Sequence, residues 1–306
     1  MAGFVLKRLV ALVPTMMGVS LLVFLILKLT PGDPAFVLGG ANATEVQLQN
    51  IRAAYHLDDP VLVQYARYIA LAVQGDLGTS LRTHRPVLTE LADRLPWSLE
   101  LAATAFVIAL IVGVALGIVS AKRQYSLLDN VAMVLALCGI SIPIFWLGIL
   151  LILVLSVQLG WLPTSGAGDW KHLLLPASTL GLSSAAIVAR QTRSAMLEVL
   201  RQDYVQVARA KGLPEQVVLV RHALRNAAIP TVTILGLQLG NLIGGVVVTE
   251  TVFAWPGLGR LIVDSITFRD VPVVEGGVML MAAIFLLTNL LIDLLYGYLN
   301  PRIHLA

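Results

Sequence analysis

Charge is what this sequence has least of. Only 13% of its 306 residues are Asp, Glu, Lys or Arg, against 58% hydrophobic, and the mean hydropathy is +0.85. Soluble domains carry about twice that share of charge. A chain this poor in polar groups cannot cover its own surface with them, which excludes a soluble enzyme, a nucleic-acid-binding domain and a disordered tail. Its solvent is a lipid bilayer. Cysteine is nearly missing as well: Cys138 stands alone, so no intrachain disulfide can form. The five histidines, His56, His84, His172, His222 and His304, are too scattered for a metal-ligand cluster. There is no Gly-x-x-x-x-Gly-Lys-Ser/Thr, and not even a Gly-Lys pair, so the chain does not cradle nucleotide phosphates by a P-loop. Neither His-Glu-x-x-His nor Gly-x-Ser-x-Gly occurs, which speaks against a membrane protease or lipase. No catalytic group, metal or cofactor is expected.

What the chain has in quantity is long apolar runs. Crossing a hydrocarbon core takes about 17 to 25 helical residues, and charge-free stretches of that order occur six times, at 9–27, 101–121, 131–157, 173–189, 226–249 and 276–292. The third continues uncharged to Asp169, so either Pro143 splits it into a hairpin or the cluster Gly160, Pro163, Gly166, Gly168 ends it. A single internal proline is tolerated in a membrane helix, whereas dense Gly and Pro are not. One span through Pro143 is therefore expected. With six spans and an inner N-terminus, the inner pieces hold 12 Lys and Arg against five acids, and the outer pieces nine against 13. That asymmetry obeys the positive-inside rule. Trp97, Trp161, Trp170 and Trp255 then fall near the outer boundary, and Tyr296 and Tyr298 near the inner one. Both termini are expected inside. The first run is longer than the 7 to 15 residues of a signal-peptide core, and Ala41-Asn42-Ala43 lies too far beyond it for cleavage, so segment 1–30 is expected to remain as a helix.

Between the first two spans, segment 31–96 predicts short helices: one capped by Thr44 and running toward Tyr55, one opened by Pro60, one opened by Pro86 and running toward Arg94. It serves either as a cap on the bundle or as a docking surface for an external partner. The inner loop 190–228 is richer. Met196, Leu197, Val199, Leu200, Tyr204, Val205 and Ala208 form an apolar stripe at helical spacing, Gly212 supplies a stop, and Pro214 with Glu215 supplies a new start. The product is a helix, a knuckle and a helix, serving either as a simple re-entry hairpin or as a prong for another protein. In the fifth span, Gly236, Gly240, Gly244 and Gly245 suggest one small-residue face, and Gln238 and Asn241 are polar groups well inside it. These residues either pack helices closely or lie along a translocation path.

Ala208-Arg209-Ala210-Lys211-Gly212-Leu213, followed by Arg221-His222-Ala223-Leu224-Arg225-Asn226-Ala227 and Pro230, resembles the coupling-loop signature of ABC importer permeases, in its dipeptide, oligopeptide, nickel and glutathione branch, B-type subunit. The likeness extends over nearly the whole chain. It includes Lys7-Arg8, Pro31-Gly32-Asp33-Pro34, Gly75-Asp76-Leu77-Gly78, Thr192-Arg193-Ser194, Glu250-Thr251-Val252-Phe253, Trp255-Pro256-Gly257-Leu258-Gly259-Arg260 and Asn300-Pro301-Arg302. The general importer pattern, Glu-Ala-Ala, three residues, Gly, nine residues, Ile-x-Leu-Pro, is met in part: Gln206 replaces Glu, Val207 the first Ala, His222 the Ile and Arg225 the Pro, while Ala208, Gly212 and Leu224 fit. The resemblance implies an all-α membrane protein of six transmembrane helices, one N-terminal helix plus a five-helix core over 97–300. It implies a multi-pass protein of the inner membrane, paired with a second homologous permease, two ATP-binding cassette chains and an extracytoplasmic solute-binding protein, and no nucleic acid. Gln206, Val207, Ala208, Arg209, Ala210, Lys211, Gly212 and Leu213 would couple to the ATPases, with Ala208 letting backbones approach and Arg209 and Lys211 at the rim. Trp255, Gly257, Gly259 and Arg260 would form an outer docking loop. Within the branch the substrate is a di- or oligopeptide, glutathione or a nickel complex; the compact turn from Gly160 to Trp170 resembles the shorter members, the glutathione type included. The rival class is an ATP-independent channel or secondary carrier.

Overall fold

The apolar runs become helical, because a backbone in hydrocarbon must satisfy its own hydrogen bonds. The computed structural model describes residues 2–29, 34–39, 43–54 and 56–299. Pro31, Gly32, Asp33, Ala41, Asn42, Tyr55, Asn300, Pro301 and Arg302 lie outside the described residues, as do the side chains of Lys7, Tyr296 and Tyr298. Five helices are each long and apolar enough to cross a bilayer, and a bent pair taken as one broken span makes six.

Helix α1 (Ala2–Leu29) is followed by three short helices, α2 (Pro34–Gly39), α3 (Glu45–Ala54) and α4 (Val61–Val73). Thr44 opens α3 with a reciprocal box: the Gln47 N–H donates to Thr44 Oγ1 at 3.4 Å and the Thr44 N–H to Gln47 Oε1 at 2.8 Å. Pro60 precedes α4, where its missing N–H removes no helical bond. Pro86 does open a helix, but that helix, α5 (Val87–Lys122), runs through Pro96 and on across the second span, 36 residues without a break. An internal proline costs a helix about 3 kcal/mol. That is too little to end a helix whose continuation buries Leu101, Ala105 and Ala109 completely.

The third span departs from expectation. It is two helices, α6 (Leu127–Ser141) and α7 (Ile144–Leu151, continuing as a π-helix over Ile152–Gln158), bent by 111° at their junction. Pro143 offers no N–H and drives Ile142 out of the helical region, to φ −78° and ψ 124°. Next come α8 (Trp170–Leu200), α9 (Asp203–Ala210) and α10 (Glu215–Val217), which passes through a π-helical stretch, Val218–Leu224, into α11 (Arg225–Val252). Residues 190–200, expected in the inner loop, are the last three turns of α8, and the apolar stripe expected as one helix is broken at Gln202, which is extended. Helices α12 (Leu258–Thr267) and α13 (Val271–Leu299) complete the described chain.

The chain divides into two compact units: one of residues 99–255 with the later part of α13, the other of residues 2–98 with 256–286. In the first, α8 is the central rod, touched by α6, α7 and α11. Its crossing with α5 is so close that a Cβ on Gly117 would stand 2.6 Å from Thr192 Cβ, and one on Gly113 2.7 Å from Val188 Cβ. Lipid provides no hydrophobic drive between helices, so close approach through small residues supplies the packing energy. In the second unit, Val87, Leu91, Leu258 and Val273 form an apolar core, while Phe24 of α1 lies 5.4 Å from the Tyr65 ring of α4. The side chain of Asp270 gathers the loop after α4, accepting from the Ser80 hydroxyl and from the N–H groups of Leu81 and Arg82.

Candidate functional site

The knuckle between α9 and α10 is closed by backbone geometry. Gly212 has φ +79°, the left-handed region, and its N–H donates to the Arg209 carbonyl at 2.9 Å while the Leu213 N–H reaches the Ala208 carbonyl at 3.4 Å. This double closure is the Schellman arrangement, which places a glycine just past the helix end. Pro214 then fixes the start of α10, and the Arg209 guanidinium forks onto Glu215 across the turn, Nη2 to Oε1 at 2.8 Å and Nε to Oε2 at 3.2 Å. The carboxylate beside it raises the Arg209 pKa still further, so this arm stays charged.

One face of the knuckle is pinned and the other is open. Val205, Ala208 and Val218 bury together beneath it, with Val199 and Leu200 of α8 against them. Gln206, Val207, Arg209, Ala210, Lys211, Gly212 and Leu213 are exposed. Ala208, expected to face a partner, is turned inward and only 5% exposed, because it lies three residues after Val205 on the same helical face. Arg209 is engaged with Glu215, and Lys211 stands clear. Asn226 of α11 donates to the Tyr204 hydroxyl at 2.8 Å, tying α9 to the next span.

Behind the knuckle lies a second device that the sequence did not announce. Asp129, at the start of α6 and 1% exposed, receives both arms of Arg193 from α8, each at 2.7 Å. The same carboxylate accepts from the Ser120 hydroxyl of α5 and from the Tyr125 N–H, and Ser126 caps α6 by accepting from the Asp129 N–H. One ion pair, its carboxylate buried and its guanidinium partly exposed, thus clamps the ends of α5, α6 and α8. In the sequence Arg193 stands within the Thr192-Arg193-Ser194 motif, and Asp129 is one of the five acids expected on the inner side. Sixty-four residues separate them, and the one local signal is the Ser126-x-x-Asp129 capping spacing.

Residues 113–305 match the model for the binding-protein-dependent transport system inner membrane component, and residues 1–102 match the N-terminal model of the same transport-system membrane components. The chain belongs to this family. It is 48% identical over 303 residues, 99% of each chain, to the glutathione transport system permease protein GsiC of Escherichia coli (strain K12), and equally to that of Salmonella paratyphi A. The fold is shared with an amino acid ABC transporter solved with histidines (TM-score 0.52, 18% identity, 70% of this chain and 94% of that one). It is shared also with the MetNI methionine ABC transporter (TM-score 0.55, 18% identity, 69% and 96%). The chain is a multi-pass inner-membrane permease of the ABC importer class, in the peptide and glutathione branch, with a transport role.

In this permease the residues grouped on the fifth span do not share a face. Gly236, Gln238 and Gly240 are buried, whereas Asn241 and Gly244 are exposed. A step of four advances a helix by about 40° beyond a full turn, so the third glycine of the series has rotated out. Gly245, not Gly244, makes the tight contact: a Cβ there would meet Leu180 at 2.7 Å. The expected outer docking loop is likewise mostly internal. Trp255 is 2% exposed and Gly257 and Gly259 are buried, while Gly257 and the half-buried Arg260 line a polar cleft of about 540 Å³ with Arg82 and Arg94. A large apolar ring serves as an anchor here, since exposing it to water would forfeit its burial. Among the described residues no group of three His, Cys, Asp or Glu side chains converges to hold a metal ion.

Proposed function

We propose that this permease imports short peptides, with glutathione as the principal substrate, as one of two homologous membrane subunits powered by two separate ATP-binding cassette chains. The observation that carries the substrate is the 48% identity to permeases named for glutathione transport, sustained over 99% of both chains with no large insertion on either side. Both termini and the knuckle face the cytoplasm, segment 31–96 faces outward, and a solute-binding protein delivers the peptide there; the division of Lys and Arg between the two sides supports that orientation.

ATP-driven closure of the cassettes moves the knuckle, 206–213, and the two permeases rock so that the membrane path opens to one side and then the other. The pinned underside of α9 and the Asp129–Arg193 clamp favour this reading, because a prong transmits force only if its base is rigid. The exposed face of α11 with Asn241 and Gly244 lies along the path or against the second permease, and Gly236, Gln238 and Gly240 pack it.

Reconstitution of the permease with its neighbouring subunits in proteoliposomes tests the whole reading. Saturable, ATP-dependent uptake of labelled glutathione, competed by unlabelled glutathione, is the expected result. Uptake of dipeptides or nickel complexes that glutathione fails to compete would move the substrate elsewhere in the branch. Transport by this chain without any cassette subunit would overturn the importer mechanism in favour of a channel or carrier.

A further inference from the structure

Where α5 ends and the knuckle begins, Lys122, Arg123, Arg201 and Arg209 line one cleft of about 500 Å³, and Glu215 is its single acid. Arg209 occupies Glu215 with two hydrogen bonds. Lys122, Arg123 and Arg201 are exposed and form no ion pair among the described residues. Lys122 also acts on Glu215 at longer range, yet one carboxylate stands against four cations, and like charges held together on a concave surface favour a further anion between them. The neighbouring surface names the kind of anion. Helix α6 starts at the edge of the cleft, and Leu127, Val131, Val134 and Leu135 leave it on one exposed face, Leu127 80% and Leu135 65% open. A basic cleft continuous with an apolar helix face matches an amphiphile with an anionic head.

We propose that this cleft binds the phosphate headgroup of an anionic phospholipid, with an acyl chain lying along the exposed face of α6. Basic pockets between membrane helices bind such headgroups, and each Lys or Arg near an anionic surface contributes about fivefold in affinity. The bound lipid bridges the end of α5 to Arg201, at the joint between α8 and α9, and so braces the base of the knuckle. A free phosphate satisfies the same cations but makes no use of the α6 face. An acidic surface of an ATPase would satisfy them only when that partner is present. The site stands on the geometry of this chain and is independent of which peptide is carried.

Native mass spectrometry of the purified full chain, exchanged against equal amounts of phosphatidylglycerol and phosphatidylcholine, reads the site directly. The expected result is selective retention of phosphatidylglycerol, weakened about 100-fold by Lys122→Gln, Arg123→Gln and Arg201→Gln together. Arg221→Gln, an exposed cation outside the cleft, leaves retention unchanged. Leu127→Ser lowers retention of the lipid without altering the cations. Equal retention of the two lipids, or full retention by the triple variant, would overturn the proposal. Displacement of phosphatidylglycerol by inorganic phosphate at equal concentration would overturn the lipid assignment. Should the triple variant fail to elute as a folded species, Arg201→Gln alone is read for its roughly fivefold loss.

Discussion

Helices α1 and α8 are both membrane spans, yet their apolarity and burial run in opposite directions. The stretch Arg8–Leu29 of α1 has a mean hydropathy of 2.5 and is 11% buried, whereas α8 reaches only 1.5 and is 61% buried. Hydropathy in a bilayer measures contact with lipid. A helix enclosed by other helices needs small and polar residues instead, and α8 accordingly carries Gly181, Thr179, Ser184, Thr192 and Arg193 where α1 carries Leu, Val and Phe. The rod that supports the knuckle is thus the less apolar of the two, and its stability rests on fit and on one ion pair.

The sharpest way to break the contrast is the ion pair. Arg193→Met leaves Asp129 without its counter-charge, and because Arg193 is partly exposed and Asp129 keeps its Ser120 and Tyr125 bonds, the cost is set at about 3 kcal/mol, the low end for breaking a buried pair. The expected outcome is a large drop in the thermal unfolding temperature of the purified chain. Asp129→Leu combined with Arg193→Met is expected to cost less than the sum of the single changes, because no lone charge remains. Next in size is Gly117→Val. Its Cβ would meet Thr192 within 2.6 Å and the Ala189 carbonyl within 2.8 Å, so α5 and α8 must separate. A loss of about 1–3 kcal/mol is expected from overpacking of this kind, read in the same thermal measurement.

On the α1 side the effects shrink. Tyr65→Phe removes the hydroxyl that pairs with Ser20 Oγ at 2.8 Å and with the Met17 carbonyl at 3.1 Å. It is expected to cost about 1 kcal/mol, seen as faster hydrogen exchange in α1 with little change in the global unfolding temperature. Smallest of all is Leu22→Ala. Leu22 is 58% exposed, and the change is expected to stay within about 0.5 kcal/mol. A loss at Leu22 as large as that at Gly117 would show that α1 is held by contacts as close as those of α8, and would end the contrast.

The sequence made the spans legible because charge is excluded from them, and it made local punctuation legible where one residue type is required. Thr44, Pro60 and Gly212 each stand where the structure uses them. What it hid depends on partners distant in sequence. Whether Pro143 bends a helix or breaks it is decided by what can satisfy the freed backbone groups, and the same sequence cue at Pro96 leaves α5 whole. The Asp129–Arg193 clamp joins residues that local patterns assign to unrelated segments. Trp255 marked a docking loop by its type and position, yet its ring is an anchor, since only the three-dimensional packing tells which way a loop tryptophan points. The glycine series of α11 misled through its own spacing, which drifts around the helix.

In the proposed mechanism the knuckle is the element through which ATP-driven motion reaches the membrane. Gly212 has open space around it, so a substitution there is opposed by its left-handed backbone alone. Asparagine tolerates that conformation, whereas a β-branched residue does not. The most direct measurement is ATP-driven substrate uptake by the reconstituted complex carrying Gly212→Val or Gly212→Asn, with insertion and subunit stoichiometry checked in parallel. The account predicts that the valine variant inserts normally but loses most of its uptake, while the asparagine variant retains most of it. Wild-type uptake by a correctly assembled valine variant would contradict it.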